Sequence, residues 1–210
     1  MAPCILCKSS ATSEYFRNEK HHFLICEDCT TVFRPPESWV SPSAEKERYL
    51  AHHNNVEDTG YKKFVTPLVQ AVMERFPPTA SGLDFGAGTG PVAAKILTED
   101  GYSISLYDPF FHPDKTVLEN QYDFIICCEV IEHFHYPLQE FRLLKRLLKP
   151  QGTLFCMTTL WTGNKKNFAG WWYKNDSTHT LFYNPANLKF IQEHTGYTSL
   201  LSKGNIIEFT

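Results

Sequence analysis

The chain has 210 residues, 42% of them hydrophobic and 20% charged, with a formal net charge of −3. That length suits one α/β domain with a small appendage rather than two full enzyme domains, and the balance of residue types excludes a disordered chain. No stretch approaches the roughly 18 apolar residues of a membrane span, no basic and apolar export signal opens the sequence, and the acidic balance disfavours broad binding to nucleic-acid backbone. The expectation is a folded cytoplasmic protein with no membrane partner.

Seven cysteines are present, and four of them form two knuckles, Cys4-Ile-Leu-Cys7 and Cys26-Glu-Asp-Cys29, joined by the stretch 8–25. An odd count without an export signal argues against a disulfide framework, and this spacing is that of a zinc ribbon. Two residues between sulfurs let a tight turn aim both at one ion, and two such turns complete a tetrahedron. The intervening Tyr15-Phe16-Arg17 and His22-Phe23-Leu24-Ile25 read as short strands. So small a unit cannot bury enough apolar surface alone, and zinc binding, roughly 10 to 16 kcal/mol in such modules, supplies its folding free energy. A redox pair is the competing reading, but no βαβ context surrounds these cysteines; a catalytic zinc would need an open position that four sulfurs do not leave. Cys127, Cys128 and Cys156 lie in apolar strand contexts and read as small buried hydrophobes.

Arg34-Pro35-Pro36 ends the ribbon, and the polar run to Pro42-Ser43 reads as a linker. The segment from Ala44 to Tyr61, with Tyr49, His52, His53, Asn55, Asp58 and Tyr61, has the composition of a site lining rather than a core element. Thr66 and Pro67 predict a helix start, with Leu68, Val72 and Phe76 at helical spacing before Pro77-Pro78. Strands are predicted at 82–85, 103–107, 122–128 and 152–158. Helices are predicted at 91–97 and 137–148, the latter with Leu138, Phe141, Leu144 and Leu148 on one face. A further helix from Asn184-Pro185 closes at Gly196, and a hairpin over 197–202 and 205–209 ends the chain. Strands alternating with helices imply a parallel sheet covered on both faces.

The most informative stretch is Leu83-Asp84-Phe85-Gly86-Ala87-Gly88-Thr89-Gly90. Its glycines permit a sharp strand-to-helix turn and close approach of backbone amides to a ligand. A dinucleotide fingerprint would place its third glycine where Pro91 stands, so a pyrophosphate site is less well supported. Asp108 follows Gly86 at the end of the next strand. There a carboxylate can accept hydrogen bonds from both ribose hydroxyls, each contributing roughly 1.5 to 3 kcal/mol. Together these features fit a nucleoside cofactor without phosphates.

The run from Ser81 to Thr210 resembles the class I S-adenosylmethionine-dependent methyltransferases, with Leu83 to Gly90 as their first motif and Tyr107-Asp108 as the ribose-binding acid. Cys128-Glu129-Val130-Ile131-Glu132-His133-Phe134 is similar to the segment after their fourth strand, and Leu148-Lys149-Pro150-Gln151-Gly152 to the turn before their fifth. The resemblance implies a Rossmann-like α/β fold whose terminal hairpin supplies a reversed last strand. It divides the chain into a ribbon at 1–36, a linker with N-terminal cap helices at 37–78, and an S-adenosylmethionine-binding domain at 79–210. It also implies that Gly86, Ala87, Gly88 and Gly90 border the cofactor, that Asp108 with Pro109 meets the ribose, that Asp84 orients the loop or the amino group, and that Glu129 sits beside the cofactor. Loop capping is the competing role for Asp84 and Glu129. The interval between Asp108 and Asp123 is too short for the usual helix and a full third strand, so 115–119 is read as a vestigial strand.

Methyl transfer from a sulfonium is an in-line displacement that needs alignment and exclusion of water, while a neutral oxygen or nitrogen acceptor also has a proton to lose. The candidates for that proton are His179, Tyr61 and His133, the last of which has packing as an equal alternative. The connection 160–183 carries Trp161, Phe168, Trp171, Trp172, Tyr173 and Phe182 and is unusually long for the inside of a compact domain. Such a loop is either a lid over a planar substrate, with Asp176 orienting His179, or a satellite hydrophobic cluster. A small-molecule acceptor is the leading expectation. An RNA or protein substrate recognised by the ribbon is the second, with Lys145, Arg146 and Lys149, or Lys165-Lys166, as a limited basic patch against the favoured reading of a solvated face, and a non-catalytic cofactor-binding protein is the third.

Overall fold

A computed structural model describes residues 1–51 and 55–210. His52 and His53, assigned above to the site-lining segment, lie outside the described residues. The chain begins with strands β1 (Thr12–Arg17), β2 (His22–Cys26) and β3 (Val32–Phe33). The first two pair antiparallel across the two knuckles, as their apolar runs predict, and β3 pairs with β2. Helix α1 (Pro42–Leu50) begins where the expected linker ends, within the 37–78 stretch of linker and cap helices: the Ser41 hydroxyl accepts from the Ala44 amide at 3.3 Å, with Pro42 in the first turn.

Helix α2 (Thr59–Arg75) begins a full turn and more before the predicted start. The cap is Asp58, whose carboxylate accepts from the Gly60 and Tyr61 amides at 2.7 and 3.0 Å. Pro67 therefore stands inside the helix, where it deprives the Lys63 carbonyl of its amide at a cost of about 3 kcal/mol. Val65, Leu68, Val69 and Val72 bury one continuous face, and that burial carries the helix through the proline.

The main sheet contains β4 (Ser81–Phe85), β5 (Ser103–Tyr107), β6 (Tyr122–Cys128), β7 (Leu148–Met157), β9 (Leu200–Lys203) and β10 (Ile206–Phe209). Its order is β5-β4-β6-β7-β10-β9. The first four strands are parallel, and β10 runs antiparallel to β7, which is the predicted reversed strand. Helix α3 (Val92–Glu99) packs with α2 on one face of the sheet, over Phe124, Ile126, Phe155 and Met157. Helices α4 (Pro137–Leu147) and α6 (Pro185–Thr195) cover the other face, over Ile125, Cys127, Leu154 and Cys156. Successive residues of β6 thus alternate between two covered faces, which is why both parities of that strand are apolar.

Two expectations need correction. Residues Lys115–Glu119 form a turn of 3₁₀ helix capped by Asp114, not a vestigial strand, so β5 is the sheet edge. Only residues 108–114 precede this turn, fewer than the dozen or more that a crossover to a further parallel strand would need. Leu148 is the first residue of β7 rather than part of α4, whose buried face is Pro137, Phe141, Leu144 and Leu147.

Connection 160–183 is ordered by the ribbon. It holds a short helix, α5 (Lys165–Phe168), and strand β8 (Leu181–Phe182), which pairs with β3 and completes a second sheet of order β1-β2-β3-β8. Trp161, Phe168, Tyr173 and Phe182 pack with Tyr15, Phe23 and Val32 of the ribbon. Most of the aromatic residues of this connection therefore form the satellite cluster, and of the six only Trp172 and Tyr173 line the cavity beside the glycine turn.

Candidate active site

The end of β4 places the glycine turn. Gly86 and Ala87 donate their amides to the Tyr107 carbonyl at 2.8 and 3.1 Å, tying the turn to the end of β5. Gly86 has φ +85° and Gly88 φ +61°, the left-handed region that favours glycine. A Cβ at Gly86 would lie 2.5 Å from a methyl of Val130, whereas one at Gly88 meets nothing within 4 Å. Gly88 therefore keeps the backbone open to a ligand, and Gly86 keeps it against the neighbouring segment.

Asp108 is buried at the end of β5, and its carboxylate organises the backbone on both sides. Oδ2 accepts from the Gly88 amide at 3.0 Å, and Oδ1 from the Phe110 and Phe111 amides at 2.8 and 3.0 Å. Oδ2 accepts only one amide and keeps a further lone pair, so a ribose hydroxyl remains compatible with this arrangement. Asp84, 4% exposed, is raised to about 7 by burial and secondarily by the charge of Asp108.

Beyond β6 the chain turns at Glu129, which takes φ +53° and donates its amide to the Met157 carbonyl at 2.8 Å. Burial raises its carboxyl to about 7, against a lowering contribution from the Tyr173 hydroxyl. That hydroxyl lies 3.1 Å from Glu129 Oε2 and 3.0 Å from Thr158 Oγ1, and it donates to Oε1 of Glu132. Glu132 is fully buried, and burial followed by the Glu129 charge holds it well above the usual carboxylate range. The single phenolic proton of Tyr173 is thus placed between two buried carboxyl groups. Glu132 was not singled out from the sequence, although it stands three positions after Glu129 in the same motif, and Tyr173 entered only as one aromatic of the 160–183 connection.

The three residues expected to handle the acceptor's proton come together. Tyr61, in the first turn of α2, and His133 and His179 line one cavity of about 950 Å³ with the glycine turn, Asp84, Asp108, Pro109 and Glu129. That volume lies in the roughly 300–1,000 Å³ range of small-molecule sites. The His133 and His179 rings are 4.8 Å apart, edge to face. His179 Nδ1 is oriented by the Tyr173 carbonyl at 2.8 Å rather than by Asp176, whose carboxylate takes Arg48 at 2.8 Å and the Thr178 hydroxyl at 2.6 Å. Burial lowers His179 to about 4, so it is neutral at physiological pH instead of titrating there. Tyr61 is shifted the other way, raised by burial and then by the nearby Cys128 and acidic groups, and stays a neutral hydroxyl.

In the ribbon, Cys4 Sγ lies 3.6 Å from Cys29 Sγ and Cys7 Sγ 3.4 Å from Cys26 Sγ, and all four sulfurs fall within 4.8 Å of one another. Sulfurs about 2.3 Å from a tetrahedral zinc stand roughly 3.8 Å apart, so the set fits that ion. Among the basic residues, Lys149 binds Asp123 at 2.8 Å and Lys145 lies over the Tyr197 ring at 5.0 Å. Lys165 lies over Tyr15 at 5.7 Å. The patch is thus divided among separate partners.

A parallel sheet with a reversed strand, opened by a glycine turn facing an acid on the next strand, defines a Rossmann-like protein of the class I methyltransferase type. A family model described as a methyltransferase domain matches residues 55–202, and the chain belongs to that family. Over 95 residues it is 32% identical to the ubiquinone biosynthesis O-methyltransferase of Actinobacillus pleuropneumoniae serotype 5b (strain L20), covering 43% of this chain and 41% of that protein. It is 28% identical over 152 residues to the protein of the same name in Dinoroseobacter shibae, covering 66% of this chain and 59% of the relative. The chain thus spans about half the length of these relatives. Among solved structures, it superposes on the Burkholderia thailandensis 1,6-didemethyltoxoflavin-N1-methyltransferase, bound to 1,6-didemethyltoxoflavin and S-adenosylhomocysteine. The TM-score is 0.57 at 13% identity, over 87% of this chain and 96% of that one. Human N-acetylserotonin methyltransferase in complex with S-adenosylmethionine gives a TM-score of 0.53 at 13% identity, over 80% and 56% of the two chains. At such identities the likeness is one of fold.

Proposed function

We propose that this protein is an S-adenosylmethionine-dependent methyltransferase acting on an oxygen or nitrogen of a small molecule, a hydroxyl oxygen being favoured by the names of its relatives. The observation that carries this reading is one cavity lined both by the glycine turn with Asp108 and by the buried carboxyls and imidazoles of Glu129, Glu132, His133 and His179. The cofactor, when bound, supplies an electrophilic methyl on a positively charged sulfur. The residues that would hold it are the turn from Gly86 to Gly90, Asp108 with Pro109 at the ribose, and Asp84 and Glu129 near the charged end.

An acceptor hydroxyl methylated by that group would have a proton to lose. Glu129, near 7 and in contact with the Tyr173 hydroxyl, is the group poised to take that proton. Tyr61 and Trp172 wall the cavity from α2 and from the 160–183 connection, which supports a role in aligning the acceptor and excluding water. The four cysteines would hold a structural zinc.

Calorimetry with S-adenosylmethionine and S-adenosylhomocysteine, followed by a metabolite-extract screen for transfer of a labelled methyl group, tests the assignment. Binding is expected to weaken in Asp108→Ala by roughly 10- to 100-fold, the loss of one charge-assisted hydrogen bond. Absence of binding heat by either compound to the zinc-loaded protein would overturn the reading.

A further inference from the structure

We infer that Glu132, His133 and His179 form a second metal site, separate from the cysteines, for a first-row divalent cation whose open positions face the cavity. Each of the three offers a ligand atom, and these atoms lie within 4.8 Å of one another. Two imidazoles and one carboxylate are the donor set that binds zinc, iron(II), cobalt(II) or manganese(II) while leaving coordination positions vacant.

Three further observations point to an ion. Glu132 is fully buried, and while Oε1 accepts from Tyr173, Oε2 meets no hydrogen-bond donor among the described residues. A buried carboxylate oxygen without a partner is costly, and a cation is the partner that best offsets that cost. His179 Nδ1 lies 2.8 Å from the Tyr173 carbonyl, and His133 Nδ1 lies 3.2 Å from the Thr178 carbonyl. Backbone carbonyls so placed orient both rings through Nδ1, as the outer partners of metal-binding histidines usually do. All three residues line the same cavity as the glycine turn.

Donors about 2.1 Å from an ion stand roughly 3.0 to 3.5 Å apart, so closing on it requires side-chain movements of about 1 to 2 Å. The site's use rests on the methyltransferase reading: an ion here would polarise the acceptor oxygen and ease loss of its proton toward Glu129. Binding of the ion does not depend on that reading.

The test is a cobalt(II) titration of the full chain with its cysteines already loaded with zinc, without cofactor or acceptor, reading visible absorption and metal content. One further equivalent of cobalt is expected, with weak d–d bands and no sulfur-to-metal charge transfer. Glu132→Gln and His179→Gln should weaken its uptake at least tenfold. His133→Gln, at a partly exposed position where folding is least at risk, should do the same, with zinc content and thermal transition checked in each variant. Cobalt found only by displacement of zinc from the cysteines, or a further equivalent bound equally well by His133→Gln and Glu132→Gln, overturns the proposal. Uptake by the wild type that His133→Gln abolishes, in a protein without methyl transfer to any acceptor, would uphold the metal site while refuting the enzymatic reading.

Discussion

Gly86→Ala is the substitution whose cost can be worked most directly from the geometry. Gly86 sits at φ +85°, where an L-residue pays roughly 1 to 2 kcal/mol for left-handed backbone. Its new Cβ would stand 2.5 and 2.6 Å from the two methyls of Val130, an overlap of the kind that costs about 1 to 3 kcal/mol in packed interiors. The expected loss of stability is therefore roughly 2 to 5 kcal/mol by urea denaturation. Gly88→Ala has φ +61° and no atom within 4 Å of its Cβ, so it should lose only the backbone part, roughly 1 to 2 kcal/mol. Its methyl group enters the cavity, so its larger effect should be on cofactor affinity. A double-mutant cycle separates the contributions: Val130→Ala should recover the steric share in Gly86→Ala, with a coupling of about 1 to 3 kcal/mol, and should not couple to Gly88→Ala. Equal stabilities for Gly86→Ala and Gly88→Ala, or additivity of Gly86→Ala with Val130→Ala, would refute this account of the turn.

Asp84 is raised from 3.8 to about 7, so the unfolded chain gives up this proton first. Its contribution to stability should accordingly fall as pH rises between about 4 and 7, by at most about 1.4 kcal/mol per pH unit, and level off above. The difference between wild type and Asp84→Asn in denaturation series across that window measures this slope, and parallel curves would disprove it. Tyr173→Phe strips Glu132 of its donor and should cost about 1 to 3 kcal/mol. It should also displace the pH profile of methyl transfer, because the proton shared with Glu129 is lost; an unmoved profile counts against the relay. Cys26→Ser should release zinc, measured by metal content, and lower the thermal transition. Because the ribbon shares β3–β8 pairing with the 160–183 connection, the same variant should bind cofactor or acceptor analogues more weakly; intact binding after zinc loss would contradict that coupling.

The parallel core was legible because its signals are local and periodic. β6 carries apolar residues on both parities, Asn184-Pro185 and Gly196 punctuate α6, and glycines cluster where β4 ends. Helix α2 was misjudged because Thr66-Pro67 has the local chemistry of a helix start, and only burial of Val65 to Val72 against the sheet overrides it. β8 spans only Leu181–Phe182, and neither residue announces a partner in the far-upstream Val32–Phe33, so the joining of ribbon and connection was invisible. His179 lines the cavity as expected from the sequence, but its displacement to about 4 comes from burial that only the assembled fold creates. Glu132 shows the converse: from the motif it reads as one acid among several, and its isolation under Tyr173 depends on a segment far along the chain.

The pairing of Val32-Phe33 with Leu181-Phe182 has a consequence for biosynthesis. At a translation rate of roughly 5 to 20 residues per second, the ribosome finishes the cysteine knuckles about 7 to 30 s before it delivers the strand that closes their sheet. If the cysteines hold zinc as proposed, the nascent segment would have to capture the ion, or remain protected from oxidation, while a hydrogen-bonding edge and the flank of Phe23 wait uncovered. Cells short of zinc would then accumulate chains that stall at this stage, even though the sheet bearing the glycine turn lies elsewhere.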